Sequence, residues 1–239
     1  MSTKALPQPG VTEIRPIAHP LHTLALLTIQ VLMAVRGIFQ AKQMQVPRSS
    51  NVGLYIRTIV IEWVLFAIVL AGVWFAGSPM STVLGERFRS ARDILRTVGI
   101  GVVFIIFQQL LLSAIGGHLL PGSEAHRTVL NLLPDGRAEM ALWLALSLTA
   151  GICEETVFRG YLQRQFTALT QNVLAGILLS AAMFAFAHGY QGFCRAVVIG
   201  LDGALLGGLV HWCGTVRPGM VGHALKDALA PFLMVAVKH

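Results

Sequence analysis

Charge is what this sequence has least of. Only 12% of its 239 residues are Asp, Glu, Lys or Arg, against 55% hydrophobic, and the mean hydropathy is +0.69. Soluble domains carry about 25% charged residues, so the polar surface needed to cover a globule is missing and a soluble fold is excluded. Cysteine is nearly as scarce. Cys153, Cys194 and Cys213 lie in or beside apolar runs in no metal-type spacing, and they read as small buried side chains. Acids are rarer than bases, 11 against 18, for a net charge of +7. The bases fall between apolar runs, where they act as topology signals and contacts for anionic lipid. Nucleic acid is therefore not an expected partner. Repeats, low-complexity tracts and a second globular domain are all absent.

What the sequence does have is apolar runs approaching the ~20 residues of a membrane-spanning helix. The expected fold is all-α: a polytopic transmembrane bundle of about seven helices, six to eight, in a bacterial plasma membrane. The first 20 residues read as a disordered tail. Residues 21–137 supply N-terminal spans near 21–39, 52–74 and 94–120, with an Arg-rich loop over 77–96. The first span reads as a retained anchor. Residues 138–239 supply four more helices, beginning near 138, 172, 195 and 220. Glu62, inside the second span, reads as an acid that snorkels or pairs locally.

The chain is organised around Gly151-Ile152-Cys153-Glu154-Glu155-Thr156-Val157-Phe158-Arg159-Gly160, at the end of the apolar run from Met140 to Cys153. An ionised carboxylate there costs several kcal/mol unless something pairs with it. Glu155 and Arg159 are one helical turn apart and can pair. Glu154 is turned roughly 100° away and finds no partner within the stretch. Further on, the fifth helix ends Phe184-Ala185-Phe186-Ala187-His188, and the seventh opens with His223-Ala224-Leu225-Lys226-Asp227. His223 and Asp227 again share a face. Polar groups this expensive in hydrocarbon should face inward and find one another. Together they suit hydrolysis. An unpaired Glu can take a proton from water, two imidazoles can hold a metal or hydrogen-bond an oxyanion, and Asp227 can orient His223 or offer an oxygen ligand. Asp202 reads as a supporting partner, a proton relay or a lone acid. Gly200, Gly203, Gly207 and Gly208 read as a packing face.

In this order, Glu154-Glu155-x-x-x-Arg159, Phe184-x-x-x-His188 and His223-x-x-x-Asp227 resemble the motifs of the CAAX-protease and bacteriocin-processing family, the type II CAAX prenyl endopeptidases and their bacterial relatives. The resemblance covers about Ala138 to Leu233. It implies an intramembrane endopeptidase cutting a protein or peptide substrate at the membrane, with Glu154 activating water. Glu155 and Arg159 would be a supporting pair, and His188, His223 and Asp227 would complete the site. The family is described both as metal-dependent and as glutamic, so a divalent metal such as zinc, on His188, His223 and Asp227, stays open. Non-catalytic scaffold or self-immunity proteins of the same fold are the alternative, and a proton-coupled transporter a more distant one.

Geometry imposes one condition. A fifth helix entering the bilayer at Asn172 would carry His188 roughly 24 Å inward, toward the face opposite His223. The groups meet only if the motif helix continues well past Gly160, through Phe166.

Overall fold

The computed structural model describes residues 14–44, 50–119 and 130–236. The main helices there are α1 (Pro20–Met44), α2 (Val52–Phe75), the single turn α3 (Ser81–Leu84), α4 (Ala91–Leu119), α5 (Gly136–Thr170), α6 (Val173–Ala187), α7 (Phe193–Cys213) and α8 (Arg217–Ala236), with a 3-10 turn at Gly189–Gln191 between α6 and α7. No strand occurs among the described residues. By length and composition α1, α2, α4, α5 and α7 can each cross a membrane. Helix α6 is shorter, at 15 residues, and α8 carries Arg217, Lys226, Asp227 and a proline at 231. The bundle turns Leu24, Leu32, Val103 and Leu110 outward, a surface that suits hydrocarbon rather than water.

Helix α5 meets the condition set by the sequence. It runs unbroken for 35 residues, roughly 50 Å at 1.5 Å per residue, well beyond a hydrocarbon core of about 30 Å. It ends where Gln171 turns into the left-handed region (φ 51°). Asn172 then caps α6, its side chain accepting from Ala175 N at 3.1 Å.

The middle of α5 departs from the α-helical period. Residues Glu155–Leu162 form a π-helix, and all eight are buried. Its wider turns redirect backbone carbonyls. Phe158 O accepts from Gln163 N five residues on and also from Ser180 Oγ of α6 at 2.6 Å. Thr156 Oγ1 donates to Ile152 O at 2.7 Å. Val157, Phe158, Tyr161 and Leu162 then anchor the core against Leu26, Val69 and Val83. Close approach fixes Gly160, because a Cβ there would lie 2.6 Å from Val83 O of α3.

Two parts of the chain differ from the sequence reading. The basic loop over 77–96 contains α3, too short for a periodic signal, whose Val83 is fully buried. The tail was expected to run to residue 20, yet residues 14–19 are tied to the far end of α5. Gln171 exchanges hydrogen bonds with Ile14 N and O at 3.0 and 2.9 Å. Gln165 accepts from Ile17 N at 2.8 Å and donates to Ala18 O at 3.0 Å. Residues 1–13 lie outside the described residues, as do most of the expected loop before α5, at 120–129, and the last three residues.

Candidate active site

Helix α5 is packed by α2, α6 and α8, and these four helices place the polar groups. The approach of α8 depends on Gly151, where a Cβ would lie 2.7 Å from both Ala224 Cβ and Met220 O. Closing that gap sets His223 beside the acid pair.

Glu155 and Arg159 pair as their spacing requires, Nη1 to Oε1 at 2.9 Å, with side chains 0% and 1% exposed. The same Oε1 lies 2.9 Å from His223 Nδ1. A carboxylate paired with a guanidinium only accepts, so Nδ1 carries the proton and donates. That contact fixes the ring and turns Nε2 toward Glu154 Oε2 at 3.6 Å and Asp227 Oδ2 at 3.5 Å. Both separations exceed a good hydrogen bond, so a proton on Nε2 remains free for a third group. Glu154 Oε2 is buried without a hydrogen-bond partner, the isolation its turn away from Arg159 requires.

His188 ends α6. Its Nδ1 donates to Phe184 O at 2.9 Å, leaving Nε2 available, and the imidazole lies within electrostatic reach of Asp227. Phe184 is the hub of the arrangement. Its ring packs edge-on against Phe158, His188 and His223, with centroids at 5.0, 4.7 and 6.0 Å, and the Arg159 guanidinium lies 4.2 Å over its face.

Glu154, His188, His223 and Asp227 line one cavity of about 490 Å³. Glu155 and Arg159 stand behind its wall. Glu62 lines the same cavity from α2. It neither snorkels nor pairs locally: it is 9% exposed, its Oε2 has no hydrogen-bond partner, and it feels the charges of Glu154, His223 and Asp227. The one sequence signal for it was an acid inside an apolar span. Tyr190, in the turn after α6, stacks on His188 at 6.2 Å; burial holds its phenol up at about 12, so it stays protonated. Asp202 stands outside the cavity and pairs with Lys226, which lines it, at 2.7 Å. Cys153 is buried. The expected glycine face is formed by Gly200, Gly203 and Gly207, whereas Gly208 meets nothing.

The two rings, with Nδ1 committed to protein acceptors, present Nε2 as metal-binding imidazoles do. Even so, among the described residues no three His, Cys, Asp or Glu side chains converge in a metal-holding arrangement.

Fold and site define a polytopic helical membrane protein with an acid–imidazole cavity whose candidate catalytic groups come from α5, α6 and α8 and whose lining is shared by α1 and α2. Residues 136–229 match the family model described as type II CAAX prenyl endopeptidase Rce1-like, which bears out, over the stretch from α5 into α8, the family the three motifs resemble. No curated protein and no solved structure gave a match.

Proposed function

We propose that this chain is an intramembrane endopeptidase that hydrolyses a peptide bond of a membrane-associated or precursor protein, by the chemistry of the CAAX-type family. The observation that carries the reading is the His223 ring, held by Glu155 on one nitrogen and facing with the other the Glu154 Oε2, which has no hydrogen-bond partner.

Glu154 takes a proton from a water in the cavity, and the oxygen of that water attacks the scissile carbonyl carbon. Negative charge moves to the carbonyl oxygen. His223 points Nε2 toward the space beside Glu154 and Asp227, and when its ring carries a second proton it donates from Nε2 to that oxyanion, as His188 can when it is likewise protonated. The intermediate collapses as the carbon–nitrogen bond breaks, and Glu154 returns its proton to the departing amine. One water is consumed, and an acid and an amine form. Asp227, 3.5 Å from Nε2, favours that second proton. Glu155 and Arg159 act through His223, since neither lines the cavity.

The test compares protein termini in membranes and secreted fractions of cells carrying wild type or Glu154→Gln. The substitution removes the base while keeping the shape, and a rate loss of about 10²–10⁴-fold is expected. Termini present only with wild type establish proteolysis and identify the substrate. Identical termini at equal protein abundance would favour a non-catalytic scaffold.

A further inference from the structure

A second cavity, of about 270 Å³, shares no lining residue with the first. Arg15, Arg159, Arg164 and His211 line it, with Gln163 and with Val173, the first residue of α6; no Asp or Glu does. Arg159 Nη2 and Arg164 Nε are buried with no hydrogen-bond partner. Glu155 answers Arg159, but neither Arg15 nor Arg164 forms an ion pair among the described residues. Cations gathered around one partly buried space without a carboxylate repel one another and lose hydration. The positive end of α6 adds to the same field. An anion of tetrahedral oxygens removes that cost, and planar guanidinium forks suit it in particular.

Position narrows the ligand. Arg15 immediately precedes the span that begins at Pro20, His211 stands in the last turn of the span that ends at Cys213, and Arg164 lies in the last two turns of α5. The cavity thus lies where these helices end together, at the level of lipid headgroups. Simple snorkelling of interfacial arginines does not describe it, because Arg159 is 1% exposed.

We infer that this cavity is a binding site for a phosphate group, carried by an anionic lipid headgroup or free in solution. The inference does not rest on the endopeptidase reading. The full chain, purified in detergent and stripped of lipid, is titrated with short-chain phosphatidic acid, inorganic phosphate or short-chain phosphatidylcholine while thermal unfolding is followed. A ligand of the folded state raises Tm with concentration. Phosphatidic acid should raise it and phosphatidylcholine should not. A matching rise with inorganic phosphate identifies the phosphate alone as the ligand, and no such rise assigns the site to the lipid. In the Arg15→Gln/Arg164→Gln variant, binding should weaken about tenfold or more, as loss of charge-assisted contacts requires. Arg15→Gln alone, at an exposed position ahead of α1, serves if the double variant does not fold. The inference is overturned if no anion shifts Tm, if phosphatidylcholine acts equally, or if the variants bind as wild type does.

Discussion

The buried trio of Arg159, Glu155 and His223 makes the sharpest claim on stability, and it can be tested without a substrate. Arg159→Met keeps most of the side-chain volume and removes the charge, leaving the Glu155 carboxylate, fully buried, with only the His223 N–H. Breaking one side of a buried ion pair costs about 3–5 kcal/mol, because the remaining charge is uncompensated. The guanidinium also leaves the Phe184 face at 4.2 Å, worth about 0.5–2 kcal/mol more. Glu155→Leu should cost a similar amount, by stranding the guanidinium instead. The double variant removes both charges together, so only the orphaned His223 Nδ1–H remains to be charged against it, about 1–3 kcal/mol. The double variant should therefore be more stable than either single one. Unfolding of all four proteins by titration with a denaturing detergent gives the cycle directly. Single substitutions that cost under about 1 kcal/mol, or losses that simply add, would show that the pair is not the buried, mutually dependent unit its exposure and distances describe.

Two further substitutions probe the cavity and its construction. Glu62→Gln removes a carboxylate whose buried Oε2 has no partner, so Tm should hold or rise; a loss above about 1 kcal/mol would instead show a stabilising ion pair at that position. Gly151→Val places side-chain atoms where even a Cβ meets Ala224 and Met220 O at 2.7 Å, and should cost about 1–3 kcal/mol as overpacking. By moving α8 off α5 it should also abolish any turnover that Glu154 supports, so a stable and fully active Gly151→Val protein would refute the close-approach argument.

How much of this was legible in the sequence follows from which interactions are local. Glu155 with Arg159, and His223 with Asp227, are one turn apart, so spacing alone places each pair on one face. The unbroken course of α5 through Phe166 was also accessible, because Glu154 and His188 cannot share a cavity otherwise. The π-helical form of Glu155–Leu162 was not. Over eight residues its period is too close to the α-helical one to register in a hydrophobic pattern, and an i,i+4 ion pair occurs in both. Glu62 was misjudged because its surroundings come from α5 and α8, and an acid alone in an apolar span does not show whether it points to headgroups or to a cavity. Residues 14–19 looked like tail because their partners, Gln165 and Gln171, lie 148 and 157 residues away in sequence.

The acid doublet shows why neighbouring identical residues need not do the same work. Two consecutive helical side chains cannot face one way. Glu155 turns inward, where Arg159 and His223 Nδ1 both meet its Oε1, and it never reaches the cavity. Glu154 turns to the cavity and is left without a hydrogen-bonding partner on Oε2. The His223 ring joins the two, bonded to the buried acid through one nitrogen and facing the cavity acid with the other. A ring held on one edge can swing only by breaking a buried charge-assisted bond, which is strong enough to keep Nε2 aimed at the reacting space. Glu155 and Arg159 therefore influence whatever happens at Glu154 through orientation alone. The cost of two buried charges is met by the bonds they make to each other and to His223, and what the fold obtains in return is one free carboxylate beside a fixed imidazole.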